Sequence, residues 1–379
     1  MLLVSKPVSP PFRDGTLCLA RDLARHTAEH RMRVMGVAGV CHDWVGDGLA
    51  EVLPVYSGAG SFAPSLRSNA RAAWWLATRA EADVWHLLFA PNRRTTAVSK
   101  VLKRWRRVPI VQTITSPPRT FQGISSLLLG DVVVAQSEWT RRQVLAEDGG
   151  WGGRPLEVIH PSVPEMMTPA ADRVRAARAE LGVSPEVPLI LYPGDLETSV
   201  GAQTVESIMD PVCERLGQAV IVFAFRAKTP LADRIAQALV RRIDPGKGRV
   251  AGAVSDMPAL LAAATAVVFP VDDLRGKVDL PVVLLESMSL GVPVIVYDWG
   301  PLSELRGVVQ VPAYDRTGLV EAVVRVAEDS VLRGRISEEQ RRAVRERHWA
   351  GTVARRYEAL YGEVLRGRTA NPRERIRHR

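Results

Sequence analysis

The chain has 379 residues, is 46% hydrophobic and 24% charged, and carries a formal net charge of +9. That length exceeds a usual single core and predicts two domains, and the composition is globular rather than disordered. There is no apolar run of eighteen residues, and the three cysteines, Cys18, Cys41 and Cys213, are too few and too scattered for a disulfide framework or a zinc site. The expectations are therefore no signal peptide, no transmembrane helix and a reducing, cytoplasmic setting.

Apolar strand-like runs at 1–5, 33–40, 84–88, 109–113, 132–135 and 156–160 alternate with helical stretches at 16–29, 65–79, 95–103 and 138–146. Within the third helical region, Lys100-Val-Leu-Lys-Arg-Trp-Arg-Arg107 reads as a basic helix with Val101, Leu102 and Trp105 as its apolar positions. Two readings fit it, a solvated helix face and peripheral attachment to anionic lipid on the inner face of a membrane. A break rich in Pro and Met follows at 161–172, and the cycle restarts. Helices are expected at 173–181, 201–216, 231–241 and 257–264, with strands at 189–192, 219–224, 249–251, 266–269 and 294–297. Two doubly wound α/β halves joined near residue 165 are the natural parse. From Arg366 onward the chain has six Arg and one Glu, which supply +5 of the +9. With Gly367, Asn371 and Pro372, this tail reads as disordered, and the body is only mildly basic. No interleaving of aromatic and basic residues marks a nucleic-acid surface, so no nucleic-acid partner is expected.

In open α/β sheets ligands bind outside the carboxyl ends of the strands, which directs attention to the loops there. The segment RGKVDLPVVLLESMSLGVPVIVYDWGPLSEL (275–305) is the most specific of them. Pro281 opens an amphipathic helix, Gly291 and Pro293 close it, and Glu286 stands about one turn in. Free backbone N–H groups at such a helix start suit a phosphate, and a carboxylate there suits a vicinal diol such as a ribose. After the first strand, PVSPPFRDG brings Asp14 and Gly15 to a helix start, where a glycine lets the backbone approach a phosphate or sugar. His86 ends the strand at 84–88; it reads either as a base or sugar partner facing a cleft or as a structurally satisfied histidine. After 189–192 come Gly194, Asp195 and Glu197, and after 219–224 come Arg226 and Lys228. No GxSxG, HExxH, P-loop or CxxC pair occurs, so acyl hydrolysis, zinc chemistry and Walker-type hydrolysis lack support.

Taken together these segments resemble glycosyltransferase family 4, nucleotide-sugar-dependent retaining enzymes. AVSDMPALLAAATAVVFP (253–270) with LPVVLLESMSLGVPVI is similar to the family's donor-site core, and AELGVSPEVPLILYPGDL (179–196) to the entry of its second domain. VVVAQSEWTRRQVL (132–145), LEVIHPSV (156–163) and HWAGTVARRYEALYGEVL (348–365) fall in the order expected of the end of the first domain and the terminal helices. The resemblance implies the GT-B fold, two Rossmann-like doubly wound parallel-sheet domains facing a central cleft. An acceptor-binding domain would span 1–165, completed by a helix at 345–365, with a donor-binding domain at 166–344. It further implies transfer of a sugar from a nucleoside-diphosphate sugar to a hydroxyl acceptor (a glycan, a lipid-linked glycan or a small metabolite), with retention and without a metal or other cofactor.

The resemblance assigns Glu286 to the donor ribose, with Gly194, Asp195, Pro281, Leu284 and Leu285 around the donor. Asp14, Gly15 and Thr115 would lie on the acceptor side. The departures matter as much. The family's glutamate eight positions before Glu286 is Val278 here, with Asp279 adjacent to take over the sugar hydroxyls beside Lys277. The family's Arg and Lys on the donor diphosphate are replaced by Asp195 and Val200, which leaves Arg226 and Lys228 as the expected cations, with Lys277 and Arg275 behind them. Its first-domain histidine is absent from Gln112-Thr-Ile-Thr-Ser116, which leaves His86 as the imidazole on that side. Two other readings keep the same fold: a sugar-nucleotide epimerase, and a catalytically silent sugar-nucleotide or glycan-binding partner protein. The Ala- and Arg-rich composition is that of a high-GC bacterial source.

Overall fold

Two parallel sheets organise the chain, which the computed structural model describes at residues 1–12, 14–40, 43–46, 50–58, 64–147, 151, 153–225, 227, 230–275 and 277–369. One compact unit holds 1–163, 277–279 and 348–369, and the other holds 164–275 and 280–347.

The first unit runs β1 (Leu2–Val8), α1 (Gly15–His26), β2 (Met32–Val37), β3 (Ala50–Tyr56), α2 (Leu66–Thr78), β4 (Trp85–Leu88), α3 (Arg93–Arg106), β5 (Ile110–Thr113), β6 (Val132–Ala135), α4 (Glu138–Ala146) and β7 (Leu156–Val158). Its seven strands are parallel, in the order β3-β2-β1-β4-β5-β6-β7. β5 and β6 are buried along their whole length, as strands covered on both faces must be; β6 reads as an unbroken apolar run, while β5 ends on the buried polar pair Gln112 and Thr113. Alternate residues divide the core. Leu3, Val34 and Val111 pack with Leu19 and Leu23 of α1, while Leu2, Val4 and Ile110 pack with Ala72 and Leu76 of α2 and Leu102 of α3.

The second unit runs α5 (Ala171–Glu180), β8 (Leu189–Tyr192), α6 (Gly201–Leu216), β9 (Val220–Ala224), α7 (Pro230–Arg242), β10 (Gly248–Gly252), α8 (Met257–Ala263), β11 (Ala266–Phe269), α9 (Val282–Leu290), β12 (Val294–Asp298), β13 (Val309–Pro312), α10 (Arg316–Glu328) and α11 (Ser330–Arg347). Its sheet order is β10-β9-β8-β11-β12-β13, the same doubly wound pattern as the first. The topological switch point of each sheet, β1/β4 in one and β8/β11 in the other, is where a ligand crevice opens in such folds.

α12 (Ala350–Thr369) returns to the first unit. It lies on the α1 face of that sheet, where Val353, Tyr357 and Tyr361 are buried. Glu358 fastens it, its Oε1 accepting from the amides of Ala28 at 2.7 Å and Glu29 at 2.5 Å.

Two strands carry no clear pattern in the sequence. β3 contains Pro54 and β13 ends on Pro312, and both are edge strands, where a missing N–H disturbs no second ladder. β1 also runs on past Pro7 to Val8, with its register against β2 shifting between Leu3 and Val8. An irregularity of this kind lets a proline sit inside a central strand.

Candidate functional site

At the switch point of the second sheet the fold of each loop follows from one or two side chains. β8 ends in Tyr192, which is fully buried and lies against the rings of Phe223 and Phe269 at 5.9 and 6.2 Å. Its hydroxyl donates to the carbonyl of Asp195 at 2.7 Å, and burial raises its pKa. Gly194 and Gly201 flank the ring. A Cβ on Gly194 would collide with it, and one on Gly201 would stand 2.7 Å from its hydroxyl and 2.9 Å from Val271. Close packing over Tyr192 therefore accounts for both glycines. Asp195, placed by the family pattern where a phosphate cation stands, turns its carboxylate to its own loop: Oδ1 accepts from the amides of Glu197 at 3.3 Å and Thr198 at 2.8 Å. That Asx turn makes the acid a structural element of the loop.

The loop after β11 joins its neighbours through Asp272. Its Oδ1 accepts from the Val200 amide at 3.1 Å and its Oδ2 from the Tyr314 hydroxyl at 3.0 Å, so one carboxylate holds the loops after β8, β11 and β13 together. Neither Asp272 nor Tyr314 is marked by sequence pattern; an acid after a buried strand was the available signal. Asp273 is taken by Arg275, whose Nε donates at 2.5 Å and whose amide donates at 2.8 Å. Arg275, a reserve phosphate cation on sequence grounds, thus already neutralises an acid. Arg226 and Lys228, the expected phosphate cations, lie outside the described residues.

α9 starts and stops where Pro281 and Gly291 predict. Pro281 is its N-cap, and Gly291 adopts the left-handed conformation with φ of 77°, its amide reaching the Met288 carbonyl at 3.0 Å. The amphipathic expectation is corrected. Leu284, Leu285, Ser287, Met288 and Leu290 are all buried, so the helix is enclosed on most sides rather than along one stripe. Leu284 and Leu285 are core side chains, and their amides donate to the Pro281 carbonyl at 2.9 and 3.4 Å. By helix geometry the N–H groups without an intrahelical acceptor are then those of Val282 and Val283. Glu286, the one acid of α9, is half-buried on the turn that follows.

The residues 277–279 pack with the first unit. A Cβ on Gly15 would run into the side chain of Val278, so glycine at the start of α1 makes room for valine at the position where the family carries its first glutamate. Asp279 is fully buried and its Oδ2 accepts from Ser137 Oγ at 2.6 Å. Ser137 also caps α4, accepting from the Thr140 amide at 3.0 Å. Lys277 is half-buried beside them. Asp14 caps α1, its Oδ1 accepting from the amides of Thr16 and Leu17 at 3.1 Å each, and its Oδ2 pairs with Lys6 at 2.6 Å. Thr115 is buried just beyond β5.

His86 has the structurally satisfied arrangement. It is wholly buried in β4, with Nδ1 at 2.7 Å from the Tyr361 hydroxyl and Nε2 at 2.7 Å from Thr113 Oγ1. Tyr357 completes the group, its hydroxyl 3.0 Å from Thr113 Oγ1. Burial lowers the imidazole pKa to about 3, so the ring is neutral at physiological pH and joins β4, β5 and α12. Among the described residues no three His, Cys, Asp or Glu side chains come together as metal ligands.

Residues 187–329 match the family model of glycosyl transferases group 1, a stretch that lies in the second unit apart from the short segment around 277–279. Among curated proteins none matches the sequence. Solved structures match nearly the whole chain. HepE from Anabaena, crystallised with UDP and glucose, superposes with a TM-score of 0.68 at 17% identity, covering 96% of this chain and 99% of that one. Sucrose-phosphate synthase from Thermosynechococcus elongatus gives 0.73 at 17% identity over 97% and 99% of the two chains. The fold is GT-B. A glycosyltransferase from Rickettsia africae gives 0.69 at 16% identity over 96% and 97%. The GT-B assignment accounts for the repeated strand order of the two sheets and for the return of α12 to the first unit.

Proposed function

We propose that this protein transfers a sugar from a nucleoside-diphosphate sugar to a hydroxyl acceptor, with retention of anomeric configuration. The observation that carries the reading is the family match over 187–329 with Glu286 inside it, half-buried one turn into the Pro281-capped helix. HepE, of the same fold, was also crystallised with UDP-glucose.

In this reading the Glu286 carboxylate accepts hydrogen bonds from the two ribose hydroxyls. Cleaving the glycosidic bond leaves negative charge on the departing phosphate and positive charge on the anomeric carbon, so preorganised donors must face the phosphate. The Val282 and Val283 amides supply two of them at the helix start, where the dipole favours an anion. Arg226 and Lys228 supply the compensating charge that Asp195 and Val200 do not. A phosphate oxygen of the donor takes the proton of the incoming hydroxyl, which leaves His86 free to remain a neutral core residue. No metal is required for the charge balance.

A thermal-shift screen against UDP, GDP, TDP and ADP tests the donor site. A ligand that binds only the folded protein stabilises it by RT ln(1 + [L]/Kd), about 2.7 kcal/mol at a hundred times Kd. One nucleotide should raise the melting temperature, and its diphosphate sugar should then be turned over, with the product anomer read by NMR. No response to any nucleotide would overturn the reading. A second reading, a silent sugar-nucleotide-binding partner protein, draws on Asp195 and Val200 at the two cation positions. It predicts nucleotide binding without release of UDP or its counterpart from the donor sugar.

A further inference from the structure

α2 and α3 lie on the same face of the first sheet, and both turn their outer sides to solvent. Between them they carry eight Lys or Arg and no Asp or Glu. Such an imbalance is unusual for a solvated helix pair, which ordinarily alternates the two signs. Three of the cations serve the fold: Lys103 pairs with Asp131 at 2.6 Å, Lys100 donates to the Ser126 carbonyl at 2.9 Å, and Arg106 donates to the carbonyls of Ala77 and Ala80 at the end of α2. Arg67, Arg71, Arg93, Arg94 and Arg104 are exposed, and so is Lys100.

The apolar pattern of α3 is the second observation. Residues 94, 98, 101 and 105 recur at helical spacing on one stripe, and the last three are Val98, Val101 and Trp105. Leu102 points the other way, into the core at 8% exposure, whereas Val101 is 67% and Trp105 75% exposed. The sequence pattern groups Val101, Leu102 and Trp105 together; the structure separates the buried leucine from an outward valine–tryptophan stripe. On α2, Trp74 is 53% exposed with the Arg79 guanidinium 5.0 Å over its ring. No described element of this chain covers these side chains.

We infer that the outer faces of α2 and α3 form a docking surface for an anionic lipid bilayer. Charge complementarity selects an anionic partner, since two helices with cations and no acids repel a basic one. The apolar stripe selects a bilayer among anionic partners. A duplex or polyphosphate is held by the cations alone, and a single strand, though its bases stack on tryptophan, gains nothing from an outward Val98 and Val101, whereas an interface takes apolar side chains into the acyl boundary and tryptophan at the headgroup level. α3 then lies in the plane of the interface, Arg94, Lys100 and Arg104 beside the headgroups. The inference stands on the first unit and is independent of the donor-site reading.

Co-sedimentation of the full chain with vesicles tests it, using phosphatidylcholine alone and phosphatidylcholine mixed equally with phosphatidylglycerol. The protein should bind the mixed vesicles and leave the neutral ones. Arg94→Gln combined with Lys100→Gln and Arg104→Gln should lower the partition coefficient about a hundredfold, as expected for three juxtamembrane charges. Val101→Ser with Trp105→Ser should lower it about tenfold while all charges remain. All five side chains are exposed, and between them they give up one exposed hydrogen bond, from Lys100 to the Ser126 carbonyl, so the melting temperatures of both variants should stay close to the parent's. Equal binding to neutral and mixed vesicles would overturn the inference. So would undiminished binding by the Val101/Trp105 variant, which would mark a plain polyanion contact that short RNA or polyphosphate satisfies equally well. Nucleotide titration of the same variants should be unchanged, so loss of vesicle binding and loss of donor binding are told apart.

Discussion

Replacing His86 with Gln should destabilise the protein at neutral pH and destabilise it less in acid. The imidazole is fully buried and bonded at both nitrogens, at 2.7 Å each, and burial holds its pKa at about 3 against an ordinary value of 6.5. Below pH 6.5 the unfolded chain takes up a proton that the folded chain refuses. The contribution of the neutral ring is therefore complete above that pH and is lost as pH falls toward about 3. At about pH 5 the unfolded ring is almost wholly protonated and the loss is about 2 kcal/mol; at about pH 7.5 it is close to zero. Gln keeps a polar atom for Thr113 but gives up one hydrogen bond and part of the ring's packing, about 2–4 kcal/mol at neutral pH. Because the variant has no imidazole to titrate, the stability gap between parent and variant should narrow by about 2 kcal/mol between the two pH values. Urea unfolding of both proteins at both pH values measures the gap. A gap that stays constant would mean that the imidazole titrates in the folded protein, and would remove the argument for a neutral core histidine.

Three further outcomes follow from particular contacts. Gly15→Ala should destabilise by about 1–3 kcal/mol through the clash with Val278, and Val278→Ala in the same chain should recover most of that loss, as a thermal-melt double-mutant cycle would read. Ser137→Ala removes both the α4 cap and the 2.6 Å donor to the buried Asp279 carboxylate. A loss of about 2–4 kcal/mol is expected in urea, and Ser137→Thr, which keeps the hydroxyl, should restore much of it. Asp195→Ala frees the amides of Glu197 and Thr198 and should loosen the loop after β8, seen as faster hydrogen exchange at 197 and 198 at a cost of about 1 kcal/mol.

The alternation of apolar strands and helices was readable because central parallel strands are covered on both faces and so appear as short unbroken apolar runs. Edge strands lack that signature, and β3 and β13 also carry prolines that read as turns. The termini of α9 were legible from Pro281 and Gly291, but not its surroundings. Nine residues are too few for the apolar positions to tell one stripe from full enclosure, and β-sheet, α8 and α11 contacts settle it. Glu286 is visible from its local context. The partners of Asp279 and Gly15 are not, because Ser137 is 142 residues from Asp279 and no periodicity links such positions. His86 was ambiguous for the same reason: Tyr361, which fixes its role, is 275 residues away on a helix that leaves and re-enters the unit.

Whether Glu286 holds the ribose of a nucleoside-diphosphate sugar is decided by calorimetric titration of UDP into the parent and the Glu286→Ala protein. Two charge-assisted hydrogen bonds to the ribose hydroxyls are worth about 1.5–3 kcal/mol each before desolvation. UDP should bind the parent, and the variant, with an unchanged melting temperature in the absence of nucleotide, should bind it at least about tenfold more weakly. Equal affinity in the two proteins would contradict that role for Glu286.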